Sequence, residues 1–127
     1  MKPAEWRRVV VKVGTSSLTD ADGHIEPGRV RAVAEGARAL ARAGAGGAAK
    51  LVIVSSGAGA AGRERLGLKL PLTLPEKQAA AAVGQVLLMQ VWSEALAPTP
   101  VAQLLLSAGD IQERERYVNA KNALEAS

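Results

Sequence analysis

The chain has 127 residues, 48% of them hydrophobic and 22% charged, with a net charge of +4. That is enough for one domain or part of one, with a core of Val, Leu, Ile and Ala, because Phe is absent and aromatics make up only 2%. The absence of cysteine excludes disulfides and thiolate metal sites, and the single histidine, His24, is loop-borne and reads as a surface residue rather than a base.

Residues 9–13, "VVVKV", are short, β-branched and closed by Gly14, which predicts a buried strand. Residues 14–28 form a loop rich in Gly, Ser, Thr and Asp. Its "TDADG" lacks the remaining ligands of a calcium loop and reads as a turn. Helical spacing follows over 29–43, with Val30, Val33, Ala37, Leu40 and Ala41 on one face, and "GAGG" stops it. A second strand is expected at 51–54, then a Gly/Ala-rich turn and a short helix over 60–66. "LKLPLTLP" is a proline-punctuated loop. Pro75 suits the first position of a long helix over 76–96, which reads as core or subunit interface. A third strand is expected at 101–106, and residues from 110 onward read as a charged helix.

Strands alternating with helices predict an α/β fold with a parallel sheet. Three strands make a thin sheet for so apolar a chain, and "YVNAKNALEAS" stops within a helical pattern. The expectation is the N-terminal part of a single larger domain, with no second domain in residues 1–127. The basic residues are scattered without aromatic interleaving, so nucleic acid is not expected. No apolar run nears the roughly 20 residues of a membrane span, and "MKPAEWRR" leads directly into a strand, so the expected location is cytoplasmic.

Two glycine-bearing loops carry the chemistry. "GAGAAG" at 57–62 fits the G-x-G-x-x-G dinucleotide fingerprint, follows a strand and precedes a helix. The acidic residue that should end the next strand is missing, since Glu76 falls after a proline loop and at a helix start. The other loop, "KVGTSS", sets a strand lysine before backbone N–H groups and hydroxyls, a good cradle for phosphate oxygens. Both loops follow parallel strands and are expected at one carboxyl edge, where such sheets bind ligands. A lysine in a buried strand is costly unless its ammonium reaches a polar site at the strand end. Phosphoryl transfer fits this arrangement, because positioning and charge neutralisation do most of its work.

"VVVKVGTSSLTD", "IVSSGAGAAGRERLG", "KQAAAAVGQVLLMQVW" and "QERERYVNAKNAL", in this order and spacing, resemble the glutamate 5-kinases of the amino acid kinase family over essentially the whole chain. The resemblance implies a three-layer αβα sandwich with a mainly parallel sheet, of which this chain is the N-terminal half. It implies ATP with Mg²⁺, phosphorylation of the γ-carboxylate of L-glutamate as the first step of proline biosynthesis, and a homodimer or homotetramer. By the same resemblance Lys12 contacts the ATP phosphates, with Gly14, Thr15 and Ser16 as the phosphate loop. Ser56, flanked by Gly57 and Ala58, binds glutamate, and no metal ligand is expected within this chain. Gly59 departs from the family's larger aliphatic residue and creates the dinucleotide-like string.

Other readings stay open: a kinase for another acidic amino acid or carbamate, a dinucleotide-binding domain using "GAGAAG", or a non-catalytic fragment. At the level of single residues, Lys12 can simply snorkel, Ser56 can cap the following helix, and Thr15 and Ser16 can merely shape a turn. Trp6 and Trp92 read as packing residues. Arg63, Arg65, Arg114 and Arg116 read as solvated charge.

Overall fold

A computed structural model of the chain describes residues 6–47 and 49–105. The first strand, β1 (Arg8–Val13), lies parallel to β2 (Lys50–Ser55). The register runs from Arg8 opposite Lys50 to Val13 opposite Ser55. Between them, α1 (Pro27–Arg42) makes the crossover that a parallel pair requires. Pro27 opens α1 at a position where its missing N–H costs nothing. α2 (Ala58–Leu66) follows β2 after a two-residue turn.

α3 (Leu74–Ala95) begins two residues earlier than the expected start. Thr73 and Glu76 form a capping box: the Glu76 N–H donates to Thr73 Oγ1 at 3.3 Å and the Thr73 N–H to Glu76 Oε1 at 3.0 Å. At the other end of α3, the Arg38 guanidinium from α1 donates to the carbonyls of Leu96 and Ala97, placing positive charge on a helix C-terminus.

Strand alternation divides the sheet. Val11 and Val13 of β1, with Leu51 and Ile53 of β2, face a core completed by Val30 and Ala34 of α1 and by Leu88, Trp92 and Leu96 around α3. The opposite face carries Lys12 beside Val10 and Val54, which are 61% and 51% exposed. This corrects the expectation that β1 is buried throughout. Among the described residues one face is packed and the other open, so the αβα layering is seen only as the sheet and the helices on one side.

The third expected strand is also corrected. Residues 101–105 carry no ladder partner, although Val101 packs against the core, because an extended apolar sequence becomes a strand only where a neighbour accepts its hydrogen bonds. Leu106 and the helix expected from 110 lie outside the described residues.

α2 and α3 cross at closest approach through glycines. A methyl group on Gly62 would overlap the Ala80 carbonyl of α3. One on Gly84 would overlap the Ala58 carbonyl and come within 2.6 Å of the Gly62 nitrogen. The two glycines therefore let the helix backbones touch, and Gly84 seats the first residue of α2.

Candidate active site

β1 and β2 end side by side, so the turns that follow them start about 4.8 Å apart, the spacing of paired strands. Val13 bridges the turns directly: its carbonyl accepts the Ser56 N–H at 2.9 Å. The expectation that residues 14–17 and 55–59 share one carboxyl edge is met.

On the β1 side, Gly14 is extended (φ −80°, ψ 159°) and leads into a 3-10 turn, Thr15–Ser17, closed by the Ser17 N–H on the Gly14 carbonyl at 3.1 Å. A Cβ added at Gly14 would meet nothing within 4 Å. Thr15 and Ser16 occupy the first positions of the turn, where backbone N–H groups have no intrahelical acceptor. Their side chains are exposed, and neither donates nor accepts a hydrogen bond among the described residues. Lys12 is exposed on the open face of the sheet. The cost of burying a lysine therefore does not explain it here, and its ammonium has no ion-pair partner among the described residues.

The loop continues as an ordered excursion. Thr19 and Ile25 form an antiparallel bridge, and Thr19 Oγ1 donates to the Thr15 carbonyl at 3.0 Å. Asp20 Oδ1 accepts the N–H groups of His24 at 3.0 Å and Asp22 at 2.9 Å. These bonds, the one from His24 foremost, hold the Asp20 carboxyl below the usual carboxylate range. "TDADG" is thus a side-chain-closed turn, as its sequence suggests. Among the described residues no group of three or more acidic or histidine side chains is placed to hold a metal ion.

On the β2 side, Ser56 is exposed and its hydroxyl makes no hydrogen bond among the described residues. The N-cap of α2 is Gly57, with no side-chain cap, so Ser56 does not perform the capping role open to it. Gly57 is buried with φ 113°, a left-handed conformation that favours glycine. A Cβ there would also press on Ile25 Cδ1 at 3.3 Å. Ala58 begins α2, whose uncapped N-terminal end lies at the same edge.

The dinucleotide fingerprint dissolves in this geometry. Gly57 makes the turn, Gly59 sits in the first turn of α2 with open space around it, and Gly62 is the helix-crossing residue. Arg63 is half-buried and points back to the Asp22 carbonyl at 3.4 Å rather than standing free in solvent. Arg114 and Arg116 lie outside the described residues.

Two residues beside the site escaped sequence reasoning. The Trp92 indole N–H donates to Ser55 Oγ at 3.0 Å, and Ser55 Oγ donates to the Ser56 carbonyl at 2.8 Å. Nothing in the sequence pairs a serine at the end of one strand with a tryptophan 37 residues later.

The lysine, the hydroxyl-bearing turn and the serine–glycine turn before a helix thus lie at the carboxyl edge of a parallel α/β sheet, where such sheets bind ligands. The chain belongs to the amino acid kinase family, whose model matches residues 7–127. It is similar to the glutamate 5-kinase of Thermus thermophilus, with 51% identity over 123 residues that cover 94% of this chain and 32% of that protein. The glutamate 5-kinase of Moorella thermoacetica is 46% identical over 135 residues, covering 97% of this chain and 32% of the relative. That of Myxococcus xanthus is 49% identical over 128 residues, covering 94% and 31%. The chain thus spans about a third of the length of these curated relatives.

Proposed function

We propose that this chain supplies the phosphate-facing and acceptor-facing turns of an ATP-dependent kinase for the side-chain carboxylate of L-glutamate. The observation that carries this reading is the meeting, at one sheet edge, of Lys12 and the 14–17 turn with the Ser56–Ala58 turn. The names of the similar proteins supply the substrate.

Lys12 and the N–H groups of Thr15 and Ser16 suit an anionic phosphate chain. The lysine's task is to neutralise charge that grows on the transferred phosphoryl group, which lowers the barrier more than it tightens the ground state. Ser56, Gly57 and Ala58 hold the acceptor. Their uncapped helix end favours a carboxylate through its aligned N–H groups. The acceptor γ-carboxylate is ionised at neutral pH, with an ordinary pKa of about 4.3, so the reaction needs no histidine base. Mg²⁺ would arrive with the nucleotide and screen its phosphates. The described residues offer it no group of three or more acidic or histidine side chains. The remaining parts of the reading are one kinase domain shared with residues beyond these, a homodimer or homotetramer, a cytoplasmic location and a place at the start of proline biosynthesis. All of these rest on the family likeness. Among the described residues no helix is long and apolar enough to cross a membrane.

The test is nucleotide turnover by the full-length natural chain with L-glutamate, L-aspartate or carbamate as acceptor. ADP release that depends on L-glutamate and is much weaker with the other two is the expected result. Turnover that prefers L-aspartate or carbamate replaces the acceptor, and nicotinamide nucleotide binding without turnover overturns the kinase reading.

A further inference from the structure

We propose that Trp92 and Ser55 form a positioning relay that fixes the acceptor-binding serine, Ser56, from behind; this rests on the reading of Ser56 as an acceptor contact. Three observations converge on it. Trp92 is 3% exposed and seated in the core on α3. Its N–H reaches Ser55 Oγ at 3.0 Å, and Ser55 Oγ reaches the Ser56 carbonyl at 2.8 Å.

The direction of the relay is forced. An indole N–H can only donate, so Ser55 Oγ accepts there and its one proton is left for another acceptor. The Ser56 carbonyl takes it. The Ser56 N–H is meanwhile held by the Val13 carbonyl at 2.9 Å. Both peptide planes around Ser56 are therefore anchored, and its hydroxyl is the one polar group of the residue with no partner among the described residues.

The anchoring matters because Gly57 follows. Glycine accepts positive and negative φ with similar ease, so the peptide between Ser56 and Gly57 has little intrinsic resistance to rotation. A turned peptide would carry the Ser56 carbonyl and the start of α2 to new places. The hydrogen bond from Ser55 opposes that rotation, and Trp92 opposes rotation of the Ser55 hydroxyl. Bonds in series polarise one another, so losing either link weakens the other. Neither residue needs to touch substrate, and both act through Ser56.

The experiment is steady-state kinetics on the full-length natural chain with Ser55→Ala, Trp92→Phe, their double variant, Ser55→Thr and Ser56→Ala. Trp92→Phe keeps most of the ring in the core and removes only the donor. Ser55→Ala and Trp92→Phe should each raise the glutamate KM about three- to tenfold, the range of one net hydrogen bond, and leave the ATP KM unchanged. The double variant should be no worse than the worse single, because the two links are in series. Ser55→Thr, which keeps the hydroxyl, should return the glutamate KM to near the natural value. Should Trp92→Phe fail to fold, the Ser55→Ala and Ser55→Thr pair decides on the same criteria. A raised glutamate KM in Ser56→Ala with silent Ser55→Ala and Trp92→Phe overturns the relay alone. Equal rises in both KM values, or multiplied effects in the double variant, also overturn it. Silence in Ser55→Ala, Trp92→Phe and Ser56→Ala together overturns the acceptor-site reading of Ser56 and the relay with it.

Discussion

Replacing Gly84 by alanine tests the helix crossing that seats the acceptor turn. The added methyl would overlap the Ala58 carbonyl and stand 2.6 Å from the Gly62 nitrogen. These are backbone atoms, so no side chain can swing aside. Relief requires α2 and α3 to separate by roughly 2 Å at the Ala58 carbonyl, since nonbonded heavy atoms rest at about 3.5–4.0 Å. Overpacking of this kind costs about 1–3 kcal/mol, and the rigid neighbours place this site at the upper end. Alanine returns about 1 kcal/mol of helix propensity, so the net loss is about 2 kcal/mol. The same substitution at Gly36 in α1 meets nothing within 4 Å and should instead stabilise by about 0.5–1 kcal/mol. Gly62→Ala should follow Gly84→Ala, and Gly59→Ala should follow Gly36→Ala. Chemical denaturation of the full-length chain at unchanged m-value reads all four. Gly84→Ala as stable as Gly36→Ala would show that the helix backbones do not touch, and with it the account of how Ala58 is placed would fall.

Lys12→Met should lower kcat by the equivalent of about 2–4 kcal/mol with little change in the glutamate KM, and an unchanged kcat would remove Lys12 from phosphoryl transfer. Thr73→Ala should cost about 1 kcal/mol of stability through the lost cap, read as a shifted denaturation midpoint. The Thr73 N–H, followed by the Thr73 hydroxyl, holds the Glu76 carboxyl below its usual range. The stability it contributes is therefore present above the ordinary carboxylate pKa and is lost as pH falls through the lowered value. Glu76→Gln should flatten that acid slope in a pH series of denaturation midpoints. Residues 1–127 alone, a third of the length of their relatives, should show no glutamate-dependent ATP turnover, because a partly assembled site forfeits the alignment worth about 7–11 kcal/mol. Measurable turnover by this polypeptide would place the whole catalytic apparatus on these residues.

The sheet edge was legible because its signals are local. "VVVKV" and "LVIV" are β-branched or aliphatic runs, each closed by a small polar residue and glycine, and α1 lies between them at helical spacing. Lys12, Gly14, Thr15, Ser16 and Ser56 consequently fall where strand ends put them. Burial of β1 was not legible, since three valines in a row do not say which face a helix will cover. The run at 101–106 has strand composition, yet what makes a strand is a ladder partner, and residues 101–105 have none among the described residues. "GAGAAG" shows the limit of a letter pattern: Gly57, Gly59 and Gly62 do three different things, and the deciding contacts for Gly62 come from Ala80 on another helix. The Trp92–Ser55 link is likewise a product of packing, with no periodic trace in the sequence.

The open face of β1 and β2 bears on how such a chain is made. Parallel strands cannot zip from a tight hairpin; β1 waits until the whole of α1 and β2 has left the ribosome. Once paired, they display Val10 and Val54 to water, a face that parallel sheets ordinarily bury. Translation proceeds at about 5–20 residues per second. For a chain as long as the relatives, two thirds of synthesis would still lie ahead, a wait on the order of ten seconds or more. For such a chain the face that carries Val10 and Val54 would stay uncovered through that interval unless later residues reach it, the kind of apolar surface that holding chaperones grip.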